Sequence, residues 1–185
     1  MNDFVERLAA RASEQGLLDV AYATVDTPIG EVVVAATDRG LVRVALPGES
    51  LDDVLTRLAQ DVSPRILAYP ERLDEARREL DQYFEGKRQR FELSLDWRLS
   101  HPGFYRRVLR ATAKVPFGEM ITYTDAAKRA GSPRAFRAAG SALGSNPIPI
   151  VVPCHRVVRA GGDIGNYGGG PEMKRALLDL EGALP

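Results

Sequence analysis

The 185-residue sequence contains one cysteine and two histidines. One cysteine excludes an intramolecular disulfide framework, and three such side chains cannot fill a four-ligand Cys/His zinc site. No run approaches the ~20 apolar residues that span a bilayer. The N-terminal Met-Asn-Asp-Phe-Val-Glu-Arg is polar and lacks the apolar core of a signal peptide, so a cytoplasmic protein with no membrane partner is expected. Net charge is missing too: 25 Lys/Arg balance 25 Asp/Glu, which taken whole argues against a uniformly basic nucleic-acid binder. Apolar residues are not lacking. At 44 % hydrophobic and 27 % charged, the composition is that of a globular protein and excludes wholesale disorder.

The balanced total hides two halves of opposite sign. A natural cut falls after Trp97-Arg98, where an alternating segment ends. Residues 1–98 carry 13 of the 25 basic and 19 of the 25 acidic residues, a net of −6; residues 99–185 carry the other 12 and 6, a net of +6. This predicts an N-terminal α/β domain over 1–98, with a short extra N-terminal helix, and a C-terminal working domain over 99–185.

Phe4, Val5, Leu8, Ala9 and Ala12 recur at helical spacing, predicting a helix over 2–15. Alternation then takes over at Val20, Tyr22 and Thr24, at Val32, Val34 and Ala36, and from Leu41 to Leu46. Thr-Pro-Ile-Gly and Thr-Asp-Arg-Gly turns separate these runs, which together read as an antiparallel three-stranded meander. Two helices follow, and Phe91, Leu93, Leu95 and Trp97 alternate as a strand over 89–97. In the second half Phe104, Val108, Leu109 and Thr112 form a helix. A short helix opens at Thr124, and Ser132-Pro133 starts another that runs to about Leu143. Helix, glycine turn, helix is the outline of a helix-turn-helix, although any two small helices at a corner share it. The fold class expected is α+β with a mostly helical C-terminal half.

A lone cysteine is ordinarily a small buried hydrophobe. Cys154, however, lies between Pro153 and His155, at the end of a proline-punctuated apolar segment. A thiol becomes a nucleophile when a base takes its proton. Adjacent residues on extended backbone point apart, so His155 would act through a water. It would want a carboxylate on its other nitrogen, for which the last helix offers Asp179 and Glu181.

Pro153-Cys154-His155-Arg156-Val157 closely resembles the active-site motif of the O6-alkylguanine-DNA alkyltransferases, also called methylated-DNA–protein-cysteine methyltransferases. Five further motifs resemble that family in order. Pro116-Phe117-Gly118-Glu119 with Thr122-Tyr123 looks like the start of its helix-turn-helix. Arg137-Ala138-Ala139-Gly140 resembles its recognition helix, and Asn146-Pro147-Ile148-Pro149 its hinge. Gly165-Asn166-Tyr167 resembles its active-site loop, and Leu177-Leu178-Asp179-Leu180-Glu181 its closing helix. The strong match covers about 104–182 and a weaker one about 19–98.

The resemblance implies a ribonuclease-H-like N-terminal domain and direct-reversal DNA repair. The alkyl group of O6-alkylguanine, or O4-alkylthymine, would pass irreversibly to Cys154 in a single turnover, without cofactor or metal. Catalytic roles carry over to Cys154 as acceptor, His155 as base and Glu181 as the carboxylate that orients it. The DNA-binding roles fall on Tyr123, which supplies a proton to the purine, on Arg137, which fills the stack after the base is flipped out, and on Ala138, Ala139 and Gly140, small enough for close minor-groove approach. Asn146, Pro149, Val157, Tyr167 and Gly169 would line or support the pocket. The partner expected is double-stranded DNA bound by a monomer, with cooperativity on DNA left open. Arg106, Lys114, Arg134 and Arg159 are expected near the backbone.

The chain departs from the family at Gly168 and Pro171, where larger or aliphatic residues are common. That predicts a roomier loop. Leu109 stands where tryptophan is frequent, and Pro102-Gly103 where Gly-Thr is common; both positions read as packing. Three rivals are weaker. An alkyltransferase-like lesion binder would lack Cys154. A cysteine hydrolase would leave the helix-turn-helix unexplained. A lesion-sensing helix-turn-helix protein without efficient transfer is the alternative retained.

Overall fold

A computed structural model describes residues 3–184. The chain divides into two compact units: residues 1–82 with 92–99, and residues 83–91 with 100–185. The excursion Tyr83–Phe91 therefore groups with the C-terminal unit.

The first unit opens with α1 (Asp3–Glu14), the helix expected over 2–15; residue 2 lies outside the described residues. The meander follows as β1 (Val20–Thr27), β2 (Gly30–Thr37) and β3 (Gly40–Ala45). β1 and β2 pair antiparallel from Ala21↔Ala36 to Thr27↔Gly30, and a register shift between Ala35 and Ala36 interrupts the β2–β3 ladder. α2 (Leu51–Asp61) starts at Ser50, whose side chain accepts the Asp53 N–H, and Asp52 and Asp53 favour the positive end of the helix. A fourth strand that the periodicity did not announce, β4 (Ile66–Ala68), runs parallel to β1, so the strand order is β3-β2-β1-β4. Three residues are too few to show a period.

Val20, Val33, Ala35, Val42 and Ala45 pack with Val54 and Leu58 of α2 as one core. β2 is buried continuously from Val32 to Thr37, where alternation predicted one wet face. β1 and β2 are also met by the turn of 3-10 helix Pro70–Leu73, whose Leu73 is buried. α3 (Asp74–Phe84) follows.

The strand expected over 89–97 is not formed. The segment touches β3 through a single bridge, Leu41↔Leu95, in which the Leu41 N–H donates to Ser94 O and the Asp96 N–H to Leu41 O. Its other polar groups go elsewhere. The Glu92 N–H donates to the Glu79 carboxylate at 2.9 Å, and buried Asp96 accepts from the Thr37 hydroxyl at 2.7 Å and from the Arg98 Nε at 2.6 Å. Gly40 is required at this crossing. Its φ is +124°, and a Cβ there would lie 2.1 Å from Ser94 O.

The second unit is mostly helical, with a two-stranded parallel pairing of β5 (Ile121–Thr122) and β6 (Val157–Val158). α4 (Phe104–Thr112) buries Val108, Leu109 and Thr112. α5 (Tyr123–Arg129) begins with a reciprocal capping box between Thr122 and Asp125. Gly131, at φ +81°, turns the chain, and the Ser132 N–H closes back on Ala127 O. α6 (Phe136–Gly144) starts three residues later than a Ser132 cap with Pro133 as first residue suggested. The Ala135 N–H donates to Ser132 O, so Ser132 begins a turn instead of a helix. α7 (Gly170–Leu180) ends the unit. None of the described helices is long and apolar enough to cross a membrane.

Candidate active site

The segment between α6 and β6 is held by one side chain. The Asn146 Oδ1 accepts the Ile148 N–H at 3.1 Å, and its Nδ2 donates to Val152 O at 2.8 Å and to the Cys154 Sγ at 3.1 Å. These three bonds fix the amide orientation. Pro149 is buried within this loop. Ile150 next to it has φ 72°, a strained conformation for a buried β-branched residue. Cys154 then opens a turn of 3-10 helix, Cys154–Arg156, in which all three residues are buried. Burial pushes the Cys154 thiol up from its ordinary value, against the hydrogen bond from Asn146. At rest the sulfur is a protonated thiol.

His155 and Arg156 both reach Glu181, which caps the C-terminal end of α7. His155 Nε2 lies 2.8 Å from Glu181 Oε1. Arg156 binds the same carboxylate through two nitrogens, Nε to Oε2 at 2.8 Å and a terminal nitrogen to Oε1 at 2.9 Å. Its other terminal nitrogen donates to Val115 O, and its guanidinium lies 5.8 Å from the Phe117 ring centroid. The Tyr83 hydroxyl adds a further bond to Glu181 Oε1 at 2.7 Å. Burial alone would raise the Glu181 carboxyl, but the hydrogen bonds from His155 and Arg156 outweigh it and pull it down to about 2.

A carboxylate accepts and does not donate, so the His155 proton sits on Nε2. That leaves Nδ1 with its lone pair. It is buried and has no hydrogen-bond partner among the described residues. Burial lowers the His155 imidazole below its ordinary value, against the pull of Glu181. His155 is thus a neutral base, with the free nitrogen set by Glu181. The choice between Asp179 and Glu181 is resolved by geometry, since Asp179 is exposed.

A cavity of about 220 Å³ opens beside the sulfur, lined by Tyr123, Gly140, Leu143, Cys154, Tyr167 and Gly168, with Gly144 and Asn166 at its edge. Tyr123 packs close to Gly140: a Cβ on Gly140 would lie 3.7 Å from the ring. Burial raises the Tyr123 hydroxyl, keeping it a donor. The Tyr167 ring stands edge-on to His155 at 6.3 Å, and its buried hydroxyl has no hydrogen-bond partner among the described residues. Gly169 permits the loop to close on α7, because a Cβ there would meet the Met173 sulfur at 2.1 Å. Val157 lies in β6, paired with Ile121, and its carbonyl accepts the Lys174 ammonium at 2.6 Å.

The residues expected on the recognition helix separate. Arg137 is exposed, Ala138 and Gly140 are half-buried, and Ala139 is fully buried among the residues that pack the helix. Of the cations expected near DNA, Lys114 and Arg134 are exposed. Arg106 is turned onto Ser100, and Arg159 pairs with Asp163 at 2.9 Å.

Three contributors escaped the sequence reading. Tyr83 is a residue of α3, which the sequence pattern gives only as a helix. Arg156 was part of the motif but had no role. Lys174, buried and lowered to about 8 by loss of water, ties β6 to Asn166 O. A charged residue within an apolar run was the only signal for Arg156. No group of three or more His, Cys, Asp or Glu that could hold a metal occurs among the described residues.

Residues 20–97 match the family described as 6-O-methylguanine DNA methyltransferase, ribonuclease-like domain, and residues 103–183 its DNA binding domain. A methylated-DNA–protein-cysteine methyltransferase of Mycolicibacterium paratuberculosis is 40 % identical over 162 residues, covering 88 % of this chain and 92 % of the relative. The enzyme of the same name from Rattus norvegicus is 39 % identical over 173 residues, covering 87 % and 81 %. The crystal structure of Mycobacterium tuberculosis OGT in complex with DNA is similar with a TM-score of 0.76 at 36 % identity, covering 88 % of this chain and 93 % of that one.

Proposed function

The chain belongs to the 6-O-methylguanine DNA methyltransferase family, a family of DNA-binding repair enzymes, and on that premise we propose that it removes alkyl groups from guanine O6 in duplex DNA by a single, irreversible transfer to Cys154. The observation that carries the reading is the chain Cys154–His155–Glu181. A buried thiol neighbours a neutral histidine whose only free nitrogen is the basic one, and the other nitrogen is held at 2.8 Å by an ionised carboxylate.

The thiol proton passes through a water to His155 Nδ1, and Glu181 stabilises the imidazolium that results. The sulfur lone pair forms a bond to the alkyl carbon in line with the breaking carbon–oxygen bond. The electron pair of that bond leaves with O6 and is drawn into the purine. Tyr123 donates its proton toward the ring, so guanine leaves neutral. The product is a thioether, which nothing in the site reverses. No cofactor takes part.

The target atom lies inside the stack, so the nucleotide is extruded into the cavity beside Cys154. Arg137, exposed at the start of α6, fills the space through the minor groove. Lesions on thymine O4 fit the same chemistry. The transfer site is assigned to the second unit, residues 83–91 with 100–185.

The test is mass spectrometry after incubation with duplex DNA bearing O6-methylguanine. A stoichiometric gain of one methyl, absent in Cys154→Ser, supports transfer. No adduct, or many turnovers per protein, sinks it. Binding of the lesion without an adduct points instead to a sensing role.

A further inference from the structure

The first residue of α6 is not among the buried residues of that helix. α6 is anchored by Ala139, Ala142 and Leu143. Phe136 is 45 % exposed, one of only a few large apolar side chains so placed among the described residues. Apart from Arg137, the rest of the outward face is small: Ala138, Gly140, Ser141 and Gly144. Nearly half of an aromatic face is thus left open to solvent beside Arg137. The ring is not idle, however. The Arg137 guanidinium carbon sits 5.6 Å from its centroid, within cation–π range.

We propose that Phe136 is a second stacking residue of the DNA interface, working beside Arg137. In the free protein the ring carries the guanidinium and keeps it off alternative acidic partners. Water weakens that contact, so it is readily exchanged. On the duplex Arg137 leaves for the vacated position in the stack, and the bared ring face stacks on the base pair flanking it. Aromatic rings tolerate any base, because every base presents a π-face, and apolar wedges at minor-groove steps prise such steps open. Phe136 is therefore a positioning residue. It does not touch the reacting atoms.

The inference rests on the base-extrusion reading above, and the experiment separates the two. Alkylation of Cys154 is timed with duplex O6-methylguanine and with the free base O6-benzylguanine, which needs no extrusion. Extrusion itself is read by the fluorescence of 2-aminopurine placed beside the lesion. Phe136→Ala is expected to lower the duplex rate relative to the free-base rate by roughly tenfold, with a matching loss of the fluorescence rise, and Phe136→Trp to restore both. A duplex-to-free-base ratio equal to wild type overturns the proposal, as does a loss that Phe136→Trp fails to repair. A ratio that rises shows that Phe136 only stores Arg137, and also overturns it. If the wild-type chain transfers nothing, the function proposed above fails, while the fluorescence still decides the role of Phe136.

Discussion

Tyr83 and His155 donate to the same oxygen of Glu181, at 2.7 and 2.8 Å, from points 98 and 26 residues away in the chain. Arg156 covers the rest of the carboxylate. One buried anion thus receives three side-chain donors and the Gly118 N–H, and its charge is balanced by one guanidinium. The orientation of the His155 ring is a by-product of satisfying that anion, so the site and the stability of the second unit stand or fall together.

Glu181→Gln is expected to cost about 3–5 kcal/mol, because it leaves the Arg156 guanidinium buried without its counter-charge. Denaturant unfolding measures this. The amide also presents a donor where His155 needs an acceptor, so methyl transfer by any folded remainder should fall roughly 100-fold or more.

Stability should decline in acid in two stages. Both His155 and Glu181 have folded values below their unfolded ones, so in each case the unfolded chain binds the proton first. Their stabilisation is complete above the unfolded values and is lost as pH falls through the folded ones. The first loss begins below the ordinary histidine value of 6.5, and the second runs from 4.5 toward about 2. Each stage has a limiting slope of about 1.4 kcal/mol per pH unit. Urea titrations across pH 8 to 4 check the first stage, and His155→Gln should remove it. A profile that stays flat below pH 6.5 contradicts the burial of a neutral His155.

Asn146→Ala removes the donors to Val152 O and the Cys154 sulfur and the acceptor of Ile148 N–H. The Val152 O keeps the Cys154 N–H, whereas the Ile148 N–H loses its acceptor, so the loss should be about 1–3 kcal/mol. The sulfur loses the one side-chain bond that favours its thiolate, so alkylation by iodoacetamide should slow at a given pH even where the fold persists.

Gly40→Ala tests the first unit alone. The added Cβ meets a backbone carbonyl and the φ of +124° is forbidden to it, so the cost should be about 2–5 kcal/mol. Thermal unfolding monitored by circular dichroism measures the loss, and no loss would show that the crossing of Gly40 and Ser94 is loose.

The Gly168-Gly169-Gly170-Pro171 loop borders a cavity of about 220 Å³ beside Cys154. Comparable alkylation rates on DNA carrying O6-methyl- and O6-benzylguanine are expected. A protein that stops at methyl has a wall less yielding than its glycines imply.

What the sequence by itself determined is what lies close together along the chain. Cys154 and His155 are neighbours, the Thr122–Asp125 capping box spans four residues, and Asn146 reaches Cys154 across a short turn. Local spacing carries such relationships because the backbone holds them in reach. The order of the six motifs identified the family for the same reason. The tertiary structure decided the rest. Alternation over 89–97 described a side-chain pattern, but a strand also needs a partner for its backbone, and here Glu79 and a single bridge took that place. Ala139 shares a motif with Arg137, yet on a helix two residues apart point to different sides, so one is core and the other is free. The resemblance assigned Glu181 over Asp179, and folding supplied its contacts, with Glu181 against His155 and Asp179 left exposed. Burial of Arg156 and the arrival of Tyr83 were illegible in sequence, because the cost of a buried charge is settled only by groups that folding brings to it.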